Sequence, residues 1–373
     1  MRFTIDKEQF SKALNAASKA VPTKSANPIL PNFCLTLNEK GLEVLGFNGD
    51  FAVKSTVPYM INDREIIRNA GVGSTLVNAK TLAEILRSIE GNEVSVEVID
   101  EAIMKIDDGK FSSRLNCIKA EEYPDIDLEP SGTTFTISAY EFSSLIEQSA
   151  FAASQRDQRG ILNALHLEAE NDKLIATATD SARLARKECP IDSDVRFAVN
   201  VPAKAALDII HMFDGAKNVT VSIATRKILV FFDNTVVSSS LIPGDYPVTR
   251  SIIPTMFNYT LEANSSELLG AMNRVRILSM DSEPVVTIVM DEEEVEVSAR
   301  NDASGSATER ISTFQYSGER LQVSFNSQFV IDAIKAVKSE DVVICFLGEM
   351  KPFVVKNPKD ESVVELITPM RTF

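Results

Sequence analysis

Tryptophan is absent from the 373-residue chain, which contains only 2 histidines and 4 cysteines. His166 and His211 are too few to build a histidine-rich metal site. The cysteines lie far apart with no Cys-x-x-Cys pair, which favours free thiols in a reducing compartment. No apolar run approaches the roughly 20 residues of a membrane-spanning helix, and the N-terminus lacks the apolar stretch of a secretory signal. We therefore expect a cytoplasmic protein without a metal ion or other cofactor.

Positively charged residues are outnumbered, because the chain has 38 Lys and Arg and 53 Asp and Glu, which gives a net charge of −15. Phosphate binding depends on clustered Lys and Arg, so the composition alone argues against a tight nucleic-acid binder. The distribution is more informative, since the six predicted helical segments together carry a formal charge near zero. Helices lining one surface could then face a polyanion while the rest of the protein repels it. Such a protein would hold DNA by topology rather than by affinity.

The chain contains a long internal repeat. Each copy opens with a short alternating strand and an amphipathic helix, beginning at Phe3, Phe135 and Tyr259. Two strands around a polar turn follow, and a second helix with further strands completes the copy. A period of about 125 residues is too long for a solenoid, whose repeats span about 20–50 residues. The pattern predicts an α+β protein of three similar domains, each with paired antiparallel sheets and helices.

The joins between the copies are polar segments that contain proline. They predict a first domain over residues 1–128, a second over 129–256 and a third over 257–373.

Motifs of catalysis are missing. The Gly71-Val72-Gly73 segment lacks the further residues of a phosphate-binding loop, and neither His-Glu-x-x-His nor Gly-x-Ser-x-Gly occurs. Asp180 and Ser181 could imitate a nucleophile beside a carboxylate, but aspartates recur at this place in the other copies, as Asp50 and Asp302. A recurring aspartate is better interpreted as a turn former. We expect no catalytic residue, and an esterase or nuclease built on Asp180 and Ser181 is the alternative.

Several segments closely resemble one family, the bacterial sliding clamps, which are the β subunits of DNA polymerase III. The resemblance extends along the whole chain, including its length and three-copy layout. It is carried by residues 27–30 (NPIL), 159–163 (RGILN), 178–185 (ATDSARLA), 244–254 (GDYPVTRSIIP) and 369–371 (PMR). The resemblance implies the DNA clamp fold, in which two subunits form a closed ring with the helices inside. It also implies a non-enzymatic processivity factor that encircles duplex DNA and tethers the replicative polymerase and other replication and repair proteins.

The resemblance further implies a head-to-tail homodimer, in which an edge strand of the first domain joins the third domain. Phe111 and Leu115 would mark this strand, with Ile277 and Leu278 supplying apolar contact opposite. Lys24 and Arg156 occupy positions that face DNA in the family, where phosphate contact is independent of sequence. A scaffold that oligomerises without DNA is the alternative binding protein, and a positive ring hole would distinguish the two.

The family also binds short peptides with apolar and aromatic anchors, which come from polymerases, the clamp loader and repair proteins. An apolar cavity with a few polar groups suits such a ligand. The matching positions are Arg159, Leu162, Thr179, Arg183, Leu184, Pro247, Ile252, Asn326, Phe329, Ile367, Pro369, Met370 and Arg371. The sequence departs from the family at Ser181 and Ala182, where Gly-His is frequent, and at Ser251 and Thr368. These departures affect the expected peptide preference.

Overall fold

The computed structural model describes residues 1–156, 158, 160–279 and 284–371. The chain divides into two compact units. Unit one comprises Met1–Ala139 and Asp208–Leu241, and unit two comprises Tyr140–Leu207 and Ile242–Phe373. The segment predicted as the second domain therefore contributes to both units, and its boundaries near residues 128 and 256 stay a prediction.

Six α-helices occur in the described part of the chain, at the places where the repeat predicts them. They are α1 (Lys7–Ser18), α2 (Ala79–Ser88), α3 (Ala139–Glu147), α4 (Ala203–Ile210), α5 (Ser265–Val275) and α6 (Ser327–Val337). Helices α1, α2, α5 and α6 begin in the same way, because the side chains of Asp6, Asn78, Asn264 and Asn326 each accept a backbone N–H of the helix that follows. Such caps satisfy donors that the first turn leaves free. No helix among the described residues is long and apolar enough to cross a membrane.

Many strands alternate buried side chains with more exposed ones, as the sequence pattern predicts. They are β1 (Arg2–Asp6), β2 (Asn32–Asn38), β3 (Gly41–Phe47), β4 (Phe51–Val57), β5 (Met60–Ile61), β6 (Arg64–Glu65), β7 (Ile67–Gly71), β8 (Gly73–Asn78), β9 (Glu93–Ile99), β10 (Ile103–Asp107), β11 (Ser112–Ile118), β12 (Thr133–Ser138), β13 (Ala164–Glu170), β14 (Lys173–Thr179), β15 (Arg183–Pro190), β16 (Phe197–Pro202), β17 (Asn218–Ile223), β18 (Lys227–Phe232), β19 (Thr235–Ser240), β20 (Tyr259–Asn264), β21 (Val285–Met290), β22 (Val295–Asn301), β23 (Gly305–Arg310), β24 (Phe314–Ser317), β25 (Leu321–Asn326), β26 (Asp341–Phe346), β27 (Phe353–Asn357) and β28 (Asp360–Ile367).

Unit one is built on a 13-stranded antiparallel sheet in the order β12-β17-β18-β19-β4-β3-β2-β8-β11-β10-β9-β1-β7. Strand β19 pairs with β4, with Ser238 opposite Ala52, so the sheet continues from one copy of the repeat into the next. Helix α1 lies against β3 and β4 and buries Phe10, Leu14 and Ala17. Burying one large apolar side chain of this kind stabilises a fold by about 1.5–3 kcal/mol.

Unit two holds a 9-stranded sheet in the order β16-β13-β14-β15-β28-β27-β26-β20-β24 and a 4-stranded sheet in the order β23-β22-β21-β25. Strand β15 pairs with β28, with Arg183 opposite Ile367, which again joins two copies of the repeat. Helices α5 and α6 pack against each other, and Leu268 and Ile334 are buried in the core they share with the strands. The α+β class with paired antiparallel sheets is confirmed.

Candidate functional site

A cavity of about 330 Å³ lies in unit two, next to the pairing of β15 with β28. Its size falls in the range of roughly 300–1,000 Å³ that is typical of ligand pockets. Its walls are mostly apolar, with a few hydroxyl groups and one guanidinium. They are formed by Leu162, Thr179, Ser181, Ala182, Arg183, Leu184, Pro247, Val248, Thr249, Ile252, Pro352, Leu366 and Thr368.

One wall of the cavity is the turn between β14 and β15, residues 179–184, which we name the Asp180 turn. The Asp180 carboxylate accepts the N–H groups of Ala182 and Arg183, both at 2.9 Å. The Thr179 hydroxyl donates to the Arg183 carbonyl at 2.6 Å and accepts the Ser181 N–H at 3.1 Å. These bonds hold Ser181 at a φ of +79°, in the left-handed region. The prediction that Asp180 is a turn former is confirmed.

The same prediction is wrong for Asp50 and Asp302. In the first copy the Asn48 side chain accepts the N–H groups of Asp50 and Phe51, at 3.1 and 2.9 Å. In the third copy the Asn301 side chain accepts those of Ala303 and Ser304, at 2.9 and 3.3 Å. The turn-forming position therefore recurs, but asparagine fills it in two copies, since a short amide accepts the same bonds as a carboxylate.

The Arg183 guanidinium contacts two aromatic rings, two carboxylates and a backbone carbonyl. Its guanidinium lies over the rings of Phe151 and Phe329, with 5.4 and 4.6 Å from Cζ to the ring centroids. Its Nε donates to Asp180 at 3.0 Å, Nη1 to Asp332 at 2.8 Å and Nη2 to the Phe151 carbonyl at 2.9 Å. Two carboxylates thus neutralise the one guanidinium, so Arg183 adds a rigid wall to the cavity rather than a free positive charge.

The C-terminal segment is docked against the cavity. The Thr368 N–H donates to the Ala182 carbonyl at 2.9 Å, and the Met370 N–H donates to the Ser324 carbonyl at 2.7 Å. Pro369 is buried between these two bonds, and Arg371 is exposed. The last strand therefore ends by closing one side of the cavity.

The cavity brings together part of the predicted pocket. Six predicted residues line it: Leu162, Thr179, Arg183, Leu184, Pro247 and Ile252. The other described residues are adjacent but do not line it. They are Asn326, which caps α6; Phe329, which packs on Arg183; Ile367, which is buried in the core; and the tail residues Pro369, Met370 and Arg371. Arg159 lies outside the described residues.

The predicted pocket omitted seven lining residues: Ser181, Ala182, Val248, Thr249, Pro352, Leu366 and Thr368. Of these, Ser181, Ala182 and Thr368 were identified only as departures from the family. Val248 carried a usable signal in the sequence, because it directly follows Pro247, a predicted pocket residue. Pro352 carried no such signal, since it reaches the cavity only through the pairing of β28 with β15 and β27.

The residues predicted to face DNA are both exposed. Lys24 lies in unit one, in the loop between α1 and β2. Arg156 lies in unit two, and its N–H donates to the Ser154 hydroxyl at 3.2 Å. Both side chains can therefore reach a ligand in solution.

The residues predicted at a subunit interface lie beside two free sheet edges. Strand β11 pairs with β10 along its length but with β8 only at Cys117 and Ile118, so the outer side of Ser112–Asn116 has no strand partner among the described residues. Phe111, just before this strand, is 42% exposed, and Leu115 packs on the core of unit one.

The second free edge is β23, the end strand of the 4-stranded sheet. The turn Arg276–Leu278 contacts β23 and carries Ile277, which is 76% exposed, and Leu278, which is half-buried. Exposed strand edges invite pairing with another chain.

Comparison with known proteins gives full-length matches. Three family models of the DNA polymerase III beta subunit match this chain. The N-terminal domain model matches residues 1–127, the central domain model 136–248 and the C-terminal domain model 250–371. The beta sliding clamp of Halalkalibacterium halodurans is 30% identical, and that of Bacillus subtilis 29%, each over 100% of both chains. The crystal structure of the Bacillus subtilis DNA polymerase sliding clamp matches with a TM-score of 0.96, at 30% identity and with 100% of both chains covered.

Proposed function

The chain belongs to the DNA polymerase III beta subunit family and is a DNA sliding clamp of replication, and from this premise we propose that two copies close head to tail into its ring. The observation that carries the function is the full-length match to sliding clamps in both sequence and fold. As a clamp it works by staying on DNA with its replication partners, and we propose that it performs no catalysis itself.

The pairing of strands within the chain supports the head-to-tail ring. The last strand of the second copy, β19, pairs with β4, which is the third strand of the set β2, β3 and β4 in the first copy. The last strand of the third copy, β28, pairs with the equivalent strand β15 of the second copy. In this series, the first copy's last strand, β11, and the third copy's equivalent strand, β23, are the two without such a partner among the described residues. The same rule applied between chains pairs β11 of one chain with β23 of another chain.

The engagement of Asp180 supports a non-enzymatic role. Its carboxylate accepts two backbone N–H groups and an Arg183 bond, so it is committed to the turn. A general base needs a free lone pair within reach of the proton it removes.

The cavity beside the Asp180 turn is proposed as the site where partner proteins insert a short peptide with apolar and aromatic anchors. Its wall is apolar, and Ile252 at its mouth is 52% exposed in the free protein. Partners would include the replicative polymerase, the clamp loader and repair proteins. Most of the binding free energy should come from a few anchors buried in the cavity.

Retention on DNA tests the clamp function. The protein is loaded onto nicked circular plasmid with a clamp loader and ATP, and the plasmid is then linearised. We expect retention on the circle and loss after linearisation, because a topological link ends when the DNA has free ends. Equal retention on both forms would indicate ordinary affinity, and no retention with an active loader would favour the scaffold alternative.

Peptide binding tests the cavity. A fluorescein-labelled hexapeptide with two leucines and a C-terminal phenylalanine as anchors is titrated with the full chain and followed by fluorescence anisotropy. We expect Ile252→Ala to weaken binding about tenfold, because losing a buried contact of this size costs about 1.4 kcal/mol or more. Met256→Ala is the matched control, since Met256 is an 80% exposed apolar residue nearby that does not line the cavity. Equal affinity for both variants would place the peptide elsewhere.

A further inference from the structure

Three side chains behind the cavity form a connected polar and aromatic group without lining it. We propose that His166, Asn200 and Tyr246 are positioning residues of the peptide pocket, which fix its two facing walls relative to each other. The inference rests on the proposed function of the cavity. One wall is the Asp180 turn, and the other is the segment of residues 242–249, which we name the proline loop.

Burial secures little of the proline loop, in which Thr249 is buried and Tyr246 is half-buried. Pro243, Gly244, Asp245, Pro247 and Val248 are all exposed, and Val248 is 81% exposed. A loop that presents apolar side chains to solvent needs polar anchors behind it, since its own side chains contribute little to its stability. The cavity is therefore preformed only if other residues fix this loop.

Asn200, on β16, provides the first anchor. It is 5% exposed, and its Nδ2 donates to the carbonyls of Ile242 at 3.3 Å and Gly244 at 2.8 Å. Its backbone carbonyl accepts the Ile242 N–H at 2.8 Å. With Nδ2 committed to two carbonyls, Oδ1 faces His166 and accepts a bond from its Nδ1 at 2.8 Å. His166 lies directly opposite Asn200 in the pairing of β13 with β16, so its ring is fixed in orientation.

Tyr246 links the two walls. It belongs to the proline loop, and its ring stacks on His166 with centroids 4.8 Å apart and an interplanar angle of 9°. Its hydroxyl accepts the Thr179 N–H at 3.1 Å, which is the first bond of the Asp180 turn. Burial raises the pKa of Tyr246 to about 12, so the hydroxyl stays neutral at physiological pH. The path from Asn200 through His166 and Tyr246 to Thr179 therefore connects both walls.

A preformed pocket binds more tightly because the peptide does not have to order the loop. Loosening the loop should act mainly on the dissociation rate of the bound peptide. Since none of the three side chains lines the cavity, their effect should reach the peptide only through the walls.

The test uses full-chain His166→Ala, Asn200→Ala and Tyr246→Phe with the labelled hexapeptide and stopped-flow dissociation. We expect about fivefold weaker binding for His166→Ala and Tyr246→Phe, as is usual for the loss of a hydrogen bond or aromatic contact, with faster dissociation. Asn200→Ala should weaken binding at least as much, because it removes three hydrogen bonds. His166→Phe keeps a ring for Tyr246 to stack on, so it should recover part of the affinity lost in His166→Ala. His211→Ala and Tyr140→Phe are matched controls, because both residues are exposed elsewhere.

The outcomes distinguish a failure of the proposed peptide pocket from a failure of the positioning role. If the wild type does not bind the hexapeptide, the peptide pocket itself is wrong and this assignment fails with it. If the wild type binds and the three variants keep its affinity and dissociation rate, only the positioning role is overturned. Should His166→Ala or Asn200→Ala unfold at a lower temperature, Tyr246→Phe decides, because it removes one oxygen atom. Once a folded variant has been loaded, its retention on circular DNA should equal that of the wild type.

Discussion

Two ionisable side chains at the cavity differ in their partners. Arg183 forms ion pairs with Asp180 at 3.0 Å and with Asp332 at 2.8 Å. Glu365, on β28, is 2% exposed, and its Oε1 has no hydrogen-bond partner in the described part of the protein. Burial raises the pKa of Glu365 well above its usual value; Arg183 opposes this shift and Asp332 adds to it. A carboxyl whose burial favours the protonated form therefore lies one residue before Leu366, a wall residue of the cavity.

Replacing Glu365 with glutamine should change how stability depends on pH. In the unfolded chain a glutamate loses its proton near pH 4.5, whereas the folded chain keeps the Glu365 proton to higher pH. The stability that the proton contributes is complete below the unfolded pKa and is lost as pH rises toward the folded pKa. We expect Glu365→Gln to gain stability relative to wild type as pH rises from about 5.5 to 8, measured by urea unfolding.

The control for this change is Glu361→Gln, which alters an exposed carboxylate on the same strand. Its stability difference from wild type should not vary with pH. A constant difference for Glu365→Gln across the same range would contradict the assignment of a neutral buried carboxyl.

The sequence predicted the cavity where its residues are neighbours along the chain, as in the Asp180 turn. It could not predict which residue of a strand faces the cavity. Leu366 lines it, so Ile367, the next residue of β28, points to the opposite face and is buried in the core. Asn326 was predicted as lining, but its side chain accepts the Gln328 N–H and caps α6. Resemblance assigns positions, whereas side-chain direction depends on strand register and capping.

Helices and strand sets were predictable because each carries its own periodicity in three copies. The continuation of sheets between copies was not, since alternation specifies which face of a strand is buried and not which strand lies beside it. The pairing of β19 with β4 joins residues far apart in sequence, and only the structure reveals it. The rule that follows is that the last strand of one copy pairs with the third strand of the preceding copy, and the proposed ring applies this rule to β11 and β23 of different chains.

A proline at the outer side of β11 should weaken self-association. The Cys117 N–H donates to the Ala102 carbonyl, and the Phe111 carbonyl accepts the Asp108 N–H, so odd-numbered residues of β11 bond toward β10. The N–H of Arg114 then points to the free edge. Arg114→Pro removes that donor without breaking the β10 ladder, and we expect dimerisation at least about tenfold weaker by sedimentation equilibrium.

Thr134→Pro is the matched control on another free edge. Strand β12 ends the 13-stranded sheet, and the Ala139 N–H donates to the Lys217 carbonyl, so even-numbered residues such as Thr134 point their N–H away from β17. This variant should dimerise as the wild type does. If Arg114→Pro also dimerises normally, β11 is not the interface strand.

The acidic composition fits a protein that holds DNA by enclosure. With a net charge of −15, the chain as a whole repels a polyanion at long range, so a few local cations must guide DNA during loading. Once the ring is closed, the protein leaves the DNA only if the ring opens or the DNA has an end. Weak attraction between the protein and the DNA then favours sliding. Charge on the DNA-facing residues should therefore control how often loading succeeds, not how long the loaded ring remains.

The double variant Lys24→Ala and Arg156→Ala tests this division. We expect loading onto primed circular DNA to fall about threefold and to become less sensitive to salt, because each lost phosphate contact lowers the salt slope by about 0.9. The half-life on the closed circle and the dimer affinity should not change. Lys40→Ala with Lys359→Ala removes the same charge from two exposed hairpin turns and should load normally. A double variant that loads as well as wild type would exclude Lys24 and Arg156 from DNA contact, whereas a shortened half-life on the circle would mean that attraction, and not enclosure, retains the protein.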